Sequence, residues 1–469
     1  VDVAGGFRFM RDGYALTQQA GYNTGSDKTP LISNTMRKRI TGNHEDWATM
    51  AWYGEARYNY ANRYYLQGDL SVETHSQFGR EARGGLKMAG VVWGVFPSLQ
   101  AGWVMTNERW FDVANIDYLR LTAGYGLTGN DNLPYDASKS YFKSELFLGE
   151  IPAIALANIG NTGLKWETTR KVNAGAEARF FHNRLELGYD VFRSWTSDLL
   201  VLRTLNFLTG DARNWSNGGE LQNMGMSVKA NMRLISGNRW NWSAGFTMGG
   251  YRGTLTALPD MNYMDTEVLG GIIRSQVGRS INSFYGLKTA PTENGTCVFA
   301  TTEEAEHEAL YRMAADGMTK TYFTAGDVKY VDRNGDGCIN DDDRFFIGDA
   351  TPDAYGNLFS SLSYRNLKLD VGFNYRLGGD IYNYTRQQLE SGSRFMNQTT
   401  AMTRRWCYEG QVTDMPRAAY GDLMGNSAFS DRWIEDGSYL KLKEVTLSYR
   451  LPINNTYIQG LTVWAQGVN

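Results

Sequence analysis

Residues 367–377 read LKLDVGFNYRL. Leu367, Leu369, Val371, Phe373, Tyr375 and Leu377 take one set of alternate positions; Lys368, Asp370, Gly372, Asn374 and Arg376 take the other. A strand points successive side chains to opposite faces, so this segment meets an apolar phase on one side and water on the other. The rule recurs. Val172, Ala174, Ala176, Ala178 and Phe180 alternate with Asn173, Gly175, Glu177 and Arg179. Leu185, Leu187, Tyr189 and Val191 alternate with Glu186, Gly188 and Asp190, after Arg184. Leu119, Leu121, Ala123 and Tyr125 alternate with Arg120, Thr122 and Gly124. Twelve such strands are expected, near 49–60, 63–74, 91–105, 116–127, 168–180, 183–196, 222–234, 239–251, 356–365, 367–379, 438–450 and 458–468. Ordinary strands average about five or six residues, whereas a tilted strand needs about 9–11 to cross a bilayer. Long strands with one apolar and one charged face favour an all-β transmembrane antiparallel β-barrel over a sandwich.

The connections carry a second signal. Tight turns fall at Asn62, at His182–Asn183, at Ser236–Gly237–Asn238 and at Arg365–Asn366, with slightly longer links over 106–115 and 452–457. Between them lie long segments, 75–90, 128–167, 197–221, 252–355 and 380–437. Outer-membrane barrels keep short periplasmic turns and long extracellular loops. That parity places 252–355 outside the cell. Within it, 278–288 reads as a strand of the insert, and 302–317 carries Glu, Ala and Leu at helical spacing.

Composition narrows the class. The net charge is −3 with no basic run, which argues against a nucleic-acid partner. No run of about 18 apolar residues exists, so transmembrane helices are not expected. Cys297, Cys338 and Cys407 are an odd, widely spaced set that gives neither a disulfide framework nor a zinc pattern. The four histidines are scattered. No Ser–His–acid arrangement, phosphate loop or HExxH motif occurs, so an enzyme is not expected.

Residues 331–344 read VDRNGDGCINDDDR. Asp332, Asn334 and Asp336 alternate, Gly337 follows, and Asp343 closes a calcium-loop spacing. The ligands would be Asp332, Asn334, Asp336, the Cys338 carbonyl, Asn340 and Asp343, around a structural Ca²⁺. The last position is Asp rather than the bidentate Glu of a sensor loop. A polar Gly/Asn/Asp turn without an ion fits the same residues. Two readings also attach to the charges on the strands' wet face (Glu177, Arg179, Arg184, Glu186, Asp190, Lys368, Asp370 and Arg376): cargo contacts, or a mutually paired interior. Tyr58, Tyr60, Tyr64, Tyr65, Trp93, Trp103, Trp240 and Trp242 suit interfacial girdles. Loop aromatics Tyr384, Trp406, Tyr408 and Trp433 either stack on sugar rings or anchor their own loops.

The stretch AGDVKYVDRNGDGCINDDDRFFIGDATPDAYGNLFSSLSYRNLKLDVGFNY, followed by DRWIEDGSYLKLKEVTLSYRLP, strongly resembles the SusC/RagA-type TonB-dependent transporters of Bacteroidetes outer membranes. FPSLQAGWVMTNERWF, LRLTAGYGLTGND, LKWETTRKVNAGAEARFFHNRLELGYDVFRSWTSDLL and SFYGLKT resemble the same family's barrel segments, in order. The resemblance runs from about residue 50 onward. It implies a 22-stranded barrel holding a plug, so residues 1–469 read as the barrel portion, with plug, amino-terminal domain and last strand outside them. It also implies import of an oligosaccharide or oligopeptide, a SusD-like surface lipoprotein over the extracellular loops, and TonB acting through the missing segments. Such transporters sit in outer-membrane lipid, often as a dimer of transporter–lipoprotein units. The alternative readings are a passive porin or structural scaffold, and a secreted calcium-stabilised β-protein.

Overall fold

A computed structural model describes all residues except 27, 30, 79–80, 83, 148–150, 205–212, 260, 315, 454–456 and 459. Parts of the expected connections 75–90, 128–167, 197–221, 252–355 and 452–457, and one residue of the expected helix 302–317, therefore lie outside the described residues. Thirteen long strands make up the principal sheet path: β1 (Asp2–Tyr22), β2 (Arg37–Tyr60), β3 (Tyr64–His75), β4 (Val91–Val104), β5 (Ile116–Asn130), β6 (Glu167–Phe180), β7 (Leu185–Ser197), β8 (Glu220–Ser236), β9 (Trp240–Ala257), β10 (Ala354–Tyr364), β11 (Leu367–Leu377), β12 (Tyr439–Leu451) and β13 (Leu461–Val468).

The chain divides into two compact units, residues 1–182 with 190–222, and 183–189 with 223–469. In the first, β1 to β6 pair antiparallel in chain order. In the second, β9 to β13 do the same. In both, chain-order antiparallel pairing leaves short connections at one end of the strands and long ones at the other. The tight turn after β2 shows why it closes. Ala61 and Asn62 hold φ of 50° and 55°, a left-handed pair that suits a two-stranded turn, and the Asn62 N–H donates to Asn59 Oδ1 at 3.0 Å.

The register sorts side chains as alternation requires. In the second unit, Val371 pairs with Ser360 and Val445, and Leu369 with Leu362 and Leu447, on the apolar face. On the other face Lys368, Asp370 and Asn374 meet Ser363, Ser361 and Asn357. In the first unit Trp52 pairs with Phe7 and Val72 on the apolar face, and Trp52, Leu70, Leu99 and Tyr125 remain exposed there. Apolar side chains exposed on a continuous strand face call for a hydrocarbon solvent.

The sequence reading found twelve strands; it missed β1 and the first half of β2. β1 pairs with β2 from Asp2–Arg57 to Tyr22–Arg37, while β3 covers β2 only over 49–60. Residues 11–22 and 37–48 thus form a two-stranded ribbon reaching roughly 40 Å past the sheet at about 3.3 Å per residue. The expected helix over 302–317 is shorter, Thr302–Glu308, because Ala309 turns left-handed at φ 51° and ends it. Residues 283–287 do form a strand of the insert, third in a four-stranded side sheet with 263–268, 271–276 and 344–349.

Candidate functional site

The wet face of the strands is largely paired with itself. Arg179 Nη2 reaches Glu177 at 2.9 Å, Lys229 reaches Glu186 at 2.8 Å, and Lys368 reaches Asp370 at 2.8 Å. Arg376 donates to the carbonyls of Ala350 and Gly378. Asp190 lies over Gly175, where a Cβ would collide with its carboxylate. Of the eight charged residues singled out on this face, these polar contacts account for six; Asp190 lies over a glycine, and Arg184 offers its carbonyl to the Arg233 N–H. The paired-interior reading describes this face better than a row of free charges.

The long connections 258–353 and 378–438 fold into one body. Leu287, Val298, Phe299, Ala305, Leu310, Phe323, Val328, Tyr330 and Ile339 come from the first, and Met424 from the second, in one buried cluster with Trp406 and Ala428 packed on it. Irregular backbone cannot satisfy itself as a helix does, so it borrows partners across the seam. The Leu287 N–H donates to the Phe429 carbonyl, Arg417 N–H to Gly326, and Gly410 N–H to Ala300. The Trp406 indole donates to the Ala300 carbonyl at 3.1 Å. At the centre, Asp327 is fully buried. Its carboxylate accepts both arms of Arg417 at 2.8 and 3.0 Å, Asn426 Nδ2 at 2.9 Å and the Thr324 N–H at 3.0 Å. Asn426 returns its Oδ1 to the Val328 N–H at 2.8 Å. Burial pushes the nearby Tyr330 phenol up, and its hydroxyl donates to the Gly425 carbonyl at 2.7 Å. Burial also pushes the Asp422 carboxyl up, against hydrogen bonds from Ser427 and Asn426.

The 331–344 segment lies in this body, and its oxygens are engaged. Asp332 accepts the N–H groups of Gly335 and Gly337, both at 2.7 Å, and those glycines hold φ of 76°. Asn334 Oδ1 accepts Asp336 N–H, and Asp336 Oδ1 accepts Cys338 N–H. Asn340 Oδ1 caps the turn Asp341–Asp343, while Asp343, fully buried, accepts the N–H groups of Asn340 and Arg333. The turn is tied to Tyr311 by the Tyr311 N–H to Gly337 carbonyl and Ile339 N–H to Tyr311 carbonyl bonds. Among the described residues, no three His, Cys, Asp or Glu groups gather where they would hold a metal ion. The six residues named as calcium ligands therefore share one turn, each with a local hydrogen-bonding role for its side chain or backbone. All three cysteines are free.

The aromatics divide. Tyr58, Tyr60, Tyr64 and Trp103 stack in series near the short-turn end, and Glu108 accepts the Tyr64 hydroxyl at 2.6 Å and the Trp103 indole at 3.1 Å. Trp240 pairs with Tyr364 at 4.4 Å, and Trp242 donates to Ser360. Two girdle candidates fall elsewhere. Trp93 is buried at the opposite end with its indole on the Met88 carbonyl, and Tyr65 lies on the wet face beneath Arg120. Of the loop aromatics, Trp433 is fully buried with its indole on the Ala428 carbonyl, and Trp406 packs on the core; both anchor the body. Tyr384 packs edge-on against Tyr382, while Tyr408 is exposed. The sequence reading passed over Phe395 and Tyr420, which stand exposed with rings 5.6 Å apart. Loop residues without periodicity give no exposure signal, so only the fold reveals them.

Long antiparallel strands with one lipid-suited face, one polar face and loops of alternating length define an outer-membrane β-barrel protein. The profile of the family described as TonB dependent receptor-like, beta-barrel, matches residues 2–469. The chain belongs to that family of bacterial outer-membrane proteins, whose members are transporters rather than enzymes. It is 28% identical over 431 residues to TonB-dependent receptor P3 of Formosa agariphila, covering 89% of this chain and 40% of that one. It is 24% identical over 424 residues to the TonB-dependent receptor SusC of Bacteroides thetaiotaomicron, covering 85% and 37%. The fold superposes on the RagAB peptide importer in its 'closed-closed' state with a TM-score of 0.74 and 21% identity, covering 99% of this chain and 49% of that one. The chain thus spans half or less of the length of these relatives.

Proposed function

We propose that this chain is the barrel portion of an importer that carries a large nutrient, an oligosaccharide or an oligopeptide, across the outer membrane. The observation that carries the reading is the family match over residues 2–469, together with relatives titled as TonB-dependent receptors and as a peptide importer. A plug, an amino-terminal domain and a last strand would lie outside these residues, and TonB would act through them. A SusD-like lipoprotein would sit over the loops, and two such units would pair. The self-paired charges of the wet face support placing cargo recognition in the extracellular body rather than along the strands.

Ca²⁺ at 332–343 is part of the proposal. Asp332, Asn334, Asp336, the Cys338 carbonyl, Asn340 and Asp343 would supply hard oxygens, and a carboxylate oxygen with one hydrogen bond keeps a second lone pair. Calcium added to chelator-treated receptor should raise its melting temperature, and Asp336→Ala should abolish that rise. No shift in the unsubstituted receptor would leave an ion-free turn.

The main test is mass spectrometry of the complex extracted in mild detergent from native outer membranes. A stoichiometric lipoprotein, a barrel chain longer than 469 residues and bound peptide or glycan are expected. A lone, plugless barrel would overturn the importer and favour a passive porin or scaffold.

A further inference from the structure

Of the four histidines, only His75, the last residue of β3, is buried. Its surroundings fix its protonation. The Gln77 N–H donates to His75 Nδ1 at 3.2 Å. A ring nitrogen that accepts a hydrogen bond carries no proton, so the ring is neutral and its hydrogen sits on Nε2. Nε2 faces the Asp131 carboxylate at 3.6 Å, beyond hydrogen-bond reach. Among the described residues, the other charged groups here stand behind Asp131. They are Glu73, two positions back on β3, and Arg8 on β1, which approaches Glu73 at 3.9 Å. β2 sets the uncharged Thr49 opposite His75, and β4 sets Gly94 opposite Glu73. The Phe78 ring meets the imidazole edge-on at 6.4 Å.

The bond to Nδ1 shapes a turn that ties the sheet to its connections. The Ser76 N–H donates to the Ala48 carbonyl, the Ala48 N–H to Ser76 Oγ, and the Phe78 N–H to the His75 carbonyl. This turn delivers Phe78 to Trp166, with ring centroids 4.5 Å apart, and to the buried cluster Leu133, Ala137 and Leu164. Leu200 and Trp215 pack on the same cluster. It is the centre of a second body, made by the described parts of connections 128–167 and 197–221. Asn161 Nδ2 donates to the Trp215 carbonyl at 3.0 Å. Asn217 closes two bonds with the Lys165 backbone, both at 2.8 Å.

We propose that His75 is a proton-operated latch on this body. When Nδ1 takes a proton, the Gln77 N–H loses its acceptor and meets another N–H. The charged ring is repelled there and drawn toward Asp131, so the 75–78 turn opens and Phe78 leaves Trp166. The latched form holds no proton on Nδ1, so acid favours the unlatched form, by up to about tenfold per pH unit. The latch needs neither cargo nor partner and stands apart from the import reading.

The test is hydrogen exchange of native receptor in mild detergent at about pH 7.5 and about pH 5. It is read as protection factors, so that the intrinsic pH dependence of exchange cancels. Protection over 76–78, 133–137 and 161–166 should fall at least tenfold in acid, while β2 over 52–60 holds. His75→Asn offers an amide oxygen to the Gln77 N–H but cannot titrate, and it should keep protection at both pH values. Asp131→Asn removes the carboxylate that draws the charged ring, so the same loss should need a lower pH. Unchanged protection in the unsubstituted receptor overturns the latch. So does an acid loss that His75→Asn or Asp131→Asn leaves unmoved, since another group would then carry it.

Discussion

Replacing Asp327 by Asn tests whether the two long connections fold as one. The native carboxylate takes four donors: two from Arg417, one from Asn426 and one from the Thr324 N–H. Asn keeps the shape but turns one oxygen into an N–H₂, which then faces donors. Removing one partner of a buried pair costs about 3–5 kcal/mol. Arg417 is one-third exposed, so water takes up part of its loss, and about 3 kcal/mol is expected. At a factor of ten per 1.4 kcal/mol, the body should open roughly 150-fold more often. Hydrogen exchange of the native receptor reads this directly. Amides over 297–331 and 411–428 should accelerate together by about that factor, while β10 and β11 stay unchanged. Acceleration confined to 324–328, with 411–428 still protected, would refute the single-body reasoning. Arg417→Ala should cost at least as much as Asp327→Asn, because it leaves the fully buried Asp327 carboxylate with Asn426 and Thr324 but no cation. Combined, the two changes should cost less than their sum.

Three further outcomes are expected. Val371→Arg puts a cation on the lipid face of β11 and should destabilise the receptor by about 2–4 kcal/mol in vesicle unfolding, while Asn374→Arg on the wet face should cost far less. Gly356→Ala should disturb the β9–β10 pairing, since a Cβ there would collide with the Thr247 carbonyl beneath the Tyr375 hydroxyl; lower heat resistance of the folded band on a gel would show it. Hydrogen bonds from Thr319 and Met318 hold the Asp316 carboxyl at about 2, below the ordinary 3.8. A depressed folded value contributes stability that is complete above the ordinary value and lost as pH falls toward 2. Asp316→Asn should flatten that acid limb in local exchange of residues 316–319, and an unchanged limb would dismiss the assignment.

The strands and the alternating connection lengths were legible because a bilayer imposes period two on every strand that crosses it. β1 escaped because its alternation fails where the sheet ends. Phe7 and Phe9 share a face with Arg11, while Arg8 shares the other with Met10. That slip falls where β3 stops covering β2, at the Thr49–His75 pair, and beyond it the ribbon has no buried side to encode. The body formed by the long connections was illegible for another reason. Its centre joins Asp327 to Arg417, 90 positions apart, through irregular backbone with no period to read. Trp433 shows the cost: a loop tryptophan open to a sugar-binding reading is fully buried. The calcium-loop spacing was plain in the sequence, yet spacing names donors without saying which backbone groups claim them.

The seam between the two halves of that body also bears on the order of assembly. Asp327 precedes β10 and β11 in the chain, and Arg417 follows them. The halves are thus held apart by a hairpin destined for lipid. Until that hairpin pairs, closing the seam means closing a loop of some ninety floppy residues; once it pairs, its two outer ends deliver Asp349–Asp353 and Leu377–Gly379 side by side, as the Asp353 N–H to Leu377 carbonyl bond marks. Pairing the β10–β11 hairpin therefore shortens the loop that must close to join Asp327 to Arg417, so the seam closes more readily once the hairpin is in place.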